Sequence, residues 1–139
     1  MNSPERVLVD TSAWIVGFRG SGDQNAGEFL KQKIAAGQVV TSRIIILELI
    51  QGCKREKDRD RLRFELESLE VLGIDVHVWD RSYGLAFDLR RKGITVPTVD
   101  IIVAALALEN RCLLLHFDRH FPMMARHVRS LNLMAMGPL

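Results

Sequence analysis

The sequence predicts an α/β fold, a three-layer α/β/α sandwich with a central, mainly parallel sheet. Three observations carry that expectation. Short apolar runs alternate with longer stretches whose apolar residues recur at helical spacing, the pattern of βαβ units and of a sheet covered on both faces. With 139 residues, 47% of them apolar, the chain reads as one domain over 1–139. A chain of this size buries about two thirds of its unfolded surface and needs no disulfide or structural metal to hold together. No internal repeat, low-complexity tract or long linker divides it.

The elements follow in order. "VLVD" at 7–10 reads as a first strand, with a helix from about Thr11. "GFRGSGD" at 17–23 is a loop by its glycines and serine. Ala26, Phe29, Leu30 and Ile34 lie at helical spacing, and Gly37 is the stop signal. "QVVTS" at 38–42 is a second strand, after which Ser42 caps a helix running through Ile44, Leu47 and Cys53. The stretch 56–73 reads as an amphipathic helix striped by Leu62, Leu66 and Leu69 and ended by Gly73. "IDVHVW" at 74–79 alternates apolar and polar side chains and reads as a third strand, with Asp80 capping a helix through Leu85, Leu89 and Lys92. "GITVPT" is a loop, and Thr98 caps the apolar helix "VDIIVAALALEN". "CLLLH" at 112–116 is a fourth strand and "LNLMAM" at 131–136 a weaker fifth.

Several function classes are disfavoured at this level. The formal net charge of +2 does not by itself predict a nucleic-acid partner. Cys53 and Cys112 are isolated, without metal-ligand spacing, and read as small hydrophobes in a reducing compartment. The first apolar run is broken by Asp10 and lacks a basic leader, and "IIILELI" is too short to span a bilayer, so the expectation is a cytoplasmic protein with no membrane partner. Walker and dinucleotide glycine patterns are absent. "VDTSA" lacks the second Asp of the aspartyl-nucleophile phosphatases, since Ser12 stands there.

His116 and His120 straddle a strand end without an HExxH partner, so a surface or substrate-contacting role is expected rather than a zinc pair. His77 and His127 read as structural or exposed. The mixed-sign run 54–63 reads as a solvated helix face, and Arg90, Arg91 and Lys92 either steer phosphate or complement a helix C-terminus. Trp14 and Trp79 read as core or partner-facing, and Trp14 with Phe18 can line a groove for a partner helix.

Four acids stand out by context. Asp10 ends a buried strand, Glu48 lies in an apolar helix, Asp100 sits in the first turn of another, and Asp118 follows "LLLHF". Each alone has a structural account: Asp10 as a helix cap, Asp100 as a partner of the helix dipole, Asp118 as a turn or cap residue. Glu48 is hardest to explain so, because a carboxylate among apolar residues needs solvent, a partner or a function. In parallel sheets ligands bind beyond the carboxyl ends of the strands, where Asp10 and Asp118 fall. Two carboxylates about 4 Å apart repel by about 4 kcal/mol at an effective dielectric of 20. No lysine or arginine lies close in sequence to Asp10 or Glu48. A hard divalent ion suits such a cluster, with Mg²⁺ taking one or two carboxylates directly and the others orienting its waters. Such an ion lowers the pKa of a bound water and stabilises charge on a phosphoryl group, so phosphodiester hydrolysis fits. Ser12 and Thr11 fit as hydroxyls that hold a carboxylate or the substrate phosphate.

Four segments, "VLVDTSAWI", "SRIIILELIQG", "PTVDIIVAALALEN" and "LLLHFDRHF", together resemble the PIN-domain ribonucleases, and within them the VapC-type toxins of prokaryotic toxin–antitoxin pairs. The resemblance implies a PIN-like fold with strand one in the middle of the sheet. It implies that Asp10, Glu48, Asp100 and Asp118 hold Mg²⁺ or Mn²⁺ and that Ser12 supports them, with Thr11 the alternative. It also implies an endoribonuclease leaving 5′-phosphate and 3′-hydroxyl ends, a homodimer, and a cognate VapB-like antitoxin. By this reading Asp10 and Asp100 bind the principal ion. Glu48 binds it directly or through water and orients the attacking water, and Asp118 completes the site or binds a second ion. Relatives usually carry Thr or Ser two residues before the last acid, where this chain has His116, so that hydroxyl contact is lost or replaced by imidazole. The rival reading is a catalytically silent PIN-fold module that regulates through RNA or protein contact.

Overall fold

β1 (Val7–Val9) is three apolar residues buried on both sides, and in the computed structural model, which describes residues 5–139, it forms the middle of the sheet. Among the described residues five strands run in the order β3-β2-β1-β4-β5, every pair parallel, and seven helices flank them in a three-layer α/β/α sandwich. β2 (Val39–Ser42) and β4 (Leu113–His116) lie to either side of β1, with Leu8 opposite Val40 and Leu114. These three strands are buried throughout, so apolar residues dominate them, with Thr41, Ser42 and His116 buried at the C-terminal ends of β2 and β4. The edge strands β3 (Glu70–Leu72) and β5 (Leu133–Ala135) are only partly buried.

The helices are α1 (Thr11–Phe18), α2 (Gln24–Ala35), α3 (Arg43–Gln51), α4 (Glu56–Glu67), α5 (Val76–Arg91), α6 (Thr98–Asn110) and α7 (His120–Ala125). α6 is apolar almost all round and buries Ile102 to Ala107 between the sheet and α5. Leu8, Leu106, Leu114 and Phe121 are fully buried, each contributing on the order of 1.5–3 kcal/mol of burial. α2 ends where Gly37 takes φ +71°, a conformation that suits glycine. Gly22 is tighter still: at φ +91° a Cβ there would meet Val16 Cγ1 at 2.6 Å and the Met136 carbonyl oxygen at 2.7 Å.

The middle of the chain departs from expectation. The third strand is Glu70–Leu72 rather than 74–79, and the expected helix over 56–73 stops at Glu67. Val71 and Leu72 continue the leucine stripe in sequence but pair with Thr41 and Ser42 in space. Residues 76–79 are helical because Asp75 caps them: its Oδ1 accepts from the Val78 N–H at 3.0 Å. α5 then buries Val78, Ser82, Leu85 and Leu89 along one face, and Asp80 lies inside the helix, not at its start. Two further caps are absent. Ser42 makes no side-chain cap bond to α3, and α6 starts at Thr98 after Pro97, also without a side-chain cap. α3 ends before Cys53, which is half-buried, while Cys112 is buried.

Candidate metal centre

The acidic constellation forms at the C-terminal edge of the sheet. Asp10 leaves β1, is buried, and caps α1, its backbone N–H donating to the Leu115 carbonyl at 2.9 Å. Its Oδ2 accepts from the Ser12 N–H at 3.0 Å and the Ser12 hydroxyl at 2.5 Å. The same hydroxyl oxygen accepts from the Phe117 N–H at 2.9 Å, tying the end of β1 to the turn after β4. The Thr11 hydroxyl donates to Glu48 Oε1 at 2.7 Å, tying α1 to α3. The two hydroxyls thus divide the work: Ser12 fixes Asp10 and Thr11 fixes Glu48.

Asp100 sits in the first turn of α6 and is 9% exposed. Asp118 lies in the turn between β4 and α7, where its Oδ1 accepts from the His120 N–H at 2.9 Å. His120 completes the group. Its Nδ1 lies 2.8 Å from Asp118 Oδ1 and 3.2 Å from Asp100 Oδ2. One ligand atom from each of Asp100, Asp118 and His120 falls within 4.8 Å of the other two. Asp100 Oδ2 and His120 Nδ1 are both buried atoms without a hydrogen-bond partner.

Asp10 and Glu48 lie outside that three-residue group, but their charges reach it. Burial is the chief reason the Asp100 carboxyl is pushed up to about 7, with the charges of Asp118 and Asp10 next, His120 opposing, and Glu48 adding to the rise. Burial also raises Asp10, against the two hydrogen bonds from Ser12, while Glu48 and Asp118 push it further up. Among the described residues no lysine or arginine pairs with any of these acids. A buried, mutually repelling set of oxygens with an orphaned carboxylate atom fits a divalent cation.

One histidine departs from expectation. His116 is buried rather than at the surface, with burial lowering its pKa, and it packs 5.4 Å from the Phe121 ring. Its Nδ1 accepts the Asp118 N–H at 3.2 Å, so here imidazole positions the backbone of the last acid. His120, four residues on, turns into the acids instead of towards solvent. His77 and His127 are exposed. No sequence spacing links His120 to Asp100; the only local sign is its place two residues after Asp118.

A groove of about 490 Å³ borders Glu48, its apolar wall formed by Ile15, Phe18, Leu49 and Leu62 and its charge by Arg19, Glu48, Asp58, Arg61 and Glu65. Phe18 is 59% exposed and stacks on the buried Trp14 at 5.8 Å. The charged run before and within α4 pairs with itself, through Arg55–Asp58, Arg61–Glu65 and Arg63–Glu67.

With this geometry in view, the sequence profile of the PIN domain matches residues 7–127. The chain belongs to the PIN-domain family. Among curated relatives, the ribonuclease VapC11 of Mycobacterium tuberculosis is 29% identical over 123 residues, spanning 86% of this chain and 92% of the relative. A VapC ribonuclease of Mycobacterium bovis matches to the same extent. Among solved structures, a DNA-bound VapBC complex from Salmonella typhimurium superposes with TM-score 0.74 at 19% identity, covering 95% of this chain and 98% of that one. VapBC-1 from nontypeable Haemophilus influenzae gives TM-score 0.73 at 17% identity, with 94% and 97% covered. At these identities the structural matches establish the PIN fold alone. Among the described residues no helix is long and apolar enough to cross a membrane.

Proposed function

We propose that this single PIN domain is a divalent-metal-dependent endoribonuclease acting as the toxin of a toxin–antitoxin pair in the cytoplasm. One observation carries the reading: an acidic cluster at the C-terminal edge of the sheet, with Asp10 and Asp100 buried and no lysine or arginine paired to it among the described residues, in a chain similar to proteins named VapC ribonucleases. Asp10, Asp100, Glu48 and Asp118 are the residues to hold Mg²⁺, or Mn²⁺ in its place. When bound, such an ion lowers the pKa of a water and stabilises charge on a phosphoryl group.

The chain's own part is positioning. Ser12 holds the Asp10 carboxylate and the Phe117 backbone in one arrangement, so that β1 and the Asp118 turn stay in register. Thr11 holds Glu48 at the mouth of the site, where its carboxylate can orient the attacking water and accept its proton. No side chain need act as a nucleophile.

The groove beside Glu48 supports the partner reading. A VapB-like antitoxin segment with apolar residues at helical spacing suits Ile15, Phe18 and Leu62, and would cover Glu48. A homodimer is supported by an exposed aromatic row on α5, Trp79, Tyr83 and Phe87, spaced four apart.

The test is cleavage of total cellular RNA by the antitoxin-free protein with Mg²⁺ or Mn²⁺, followed by mapping of new 5′ ends. Discrete ends that vanish with chelator and in Asp10→Asn support the proposal. Ends that persist in Asp10→Asn refute the metal mechanism, and no cleavage of any RNA pool favours the silent binding module.

A further inference from the structure

The acids account for oxygen donors, but the structure aims one nitrogen at the same point. We propose that His120 is a ligand of the ion held here, and that its nitrogen biases the site towards Mn²⁺ over Mg²⁺. This rests on the metal-dependent reading above and adds to it a residue and a selectivity.

The geometry has three parts. First, His120 Nδ1 is buried and makes no hydrogen bond, although two carboxylate oxygens lie 2.8 and 3.2 Å away. Second, those separations match neighbouring donors on one small octahedral ion, for which bonds of about 2.1 Å put adjacent ligand atoms about 3.0 Å apart. Asp100 Oδ2, orphaned and buried, is the other atom left without a partner at the same point. Third, the backbone that carries the imidazole is fixed on both sides. The His120 N–H donates to Asp118 Oδ1, the Asp118 N–H donates to His116 Nδ1, and the next residue, Phe121, is fully buried under α7. The turn from His116 to His120 is therefore built before any ion arrives.

The selectivity follows from donor chemistry. Both ions favour carboxylate and water oxygens, but Mg²⁺ holds to oxygen ligands and keeps its waters, whereas Mn²⁺, a first-row transition ion, accepts an imidazole nitrogen more readily. A site offering Asp100, Asp118 and the His120 nitrogen gives Mn²⁺ a bond that Mg²⁺ values little.

The experiment is pulsed electron paramagnetic resonance of Mn²⁺ bound to the full chain, beside Mn²⁺ and Mg²⁺ titrations by calorimetry. Wild type should show the nitrogen coupling of a directly bound imidazole. His120→Asn and His120→Gln should both lose that coupling and bind Mn²⁺ on the order of tenfold or more weakly, the range that loss of even an outer-shell partner gives. Their Mg²⁺ affinity should change less. Mn²⁺ bound without nitrogen coupling in wild type overturns the assignment while leaving the metal site intact, as does coupling that survives both substitutions. Absence of Mn²⁺ binding in wild type overturns the metal reading itself, and this inference with it.

Discussion

Asp100→Asn should make the ion-free protein more stable at alkaline pH while removing its response to metal. The Asp100 carboxyl moves from 3.8 to about 7 on folding, chiefly through burial and then through the charges of Asp118 and Asp10. At 1.36 kcal/mol per pH unit this sets a ceiling of about 4 kcal/mol. Asp118 and His120 are 31% and 27% exposed at the side chain, so solvent screening reduces the effect to about 2 kcal/mol. The folded-state value lies above the unfolded one, so the native state keeps a proton that the unfolded state has released. That contribution is complete below pH 3.8 and is lost as pH rises through about 7. Asparagine is neutral throughout and escapes the loss. Thermal unfolding in chelator at pH 5 and pH 8 is the assay. At pH 8 the variant should melt higher by roughly 6 to 8 °C, about 2 kcal/mol in a domain of this size, and at pH 5 the gap should shrink. With saturating Mn²⁺ the order should reverse, because an ion that binds only the native state stabilises wild type alone. A variant that melts lower than wild type in chelator at pH 8, or curves that stay parallel in pH, would refute the reasoning.

Ser12→Ala removes the hydroxyl between Asp10 and the Phe117 N–H, leaving that N–H without its acceptor, and should cost about 1–3 kcal/mol in urea unfolding. Phe18→Asp removes the exposed aromatic from the apolar wall of the groove and should weaken antitoxin binding, read by calorimetry, with RNA cleavage retained. Tyr83→Asp, in the middle of the exposed aromatic row on α5, should convert a dimer to a monomer in sedimentation with little change in melting temperature. Gly22→Ala should destabilise by about 1–3 kcal/mol, since the new Cβ meets the Met136 backbone and the φ of +91° suits only glycine.

The sheet was readable in the sequence where a strand is buried on both faces. Val7–Val9 is wholly apolar, Val39–Ser42 and Leu113–His116 carry polar residues only at their C-terminal ends, and no helical periodicity competes with them. The third strand was not, because two local signals conflict there. "IDVHVW" alternates like a strand, yet Asp75 supplies a cap, and α5 gains a longer buried face through Leu85 and Leu89. Glu70–Leu72 is a three-residue edge strand whose pairing with β2 leaves little periodic trace. The acids were conspicuous because each sits against apolar neighbours, a local property. The inward turn of His120 is a long-range one: it depends on α7 starting beside the first turn of α6. The partition of Ser12 to Asp10 and Thr11 to Glu48 likewise follows from which way α1 leaves β1.

The central claim is that the acidic cluster activates a water, so that the RNA's own 2′-hydroxyl takes no part in the cut. The most direct measurement is the chemistry of the ends left by the Mg²⁺-loaded protein on a mapped RNA target, read by mass spectrometry. The account predicts 5′-phosphate and 3′-hydroxyl ends, and undiminished cutting when the scissile nucleotide alone is 2′-deoxy. A 2′,3′-cyclic phosphate, or cutting abolished by that single deoxy substitution, would contradict it.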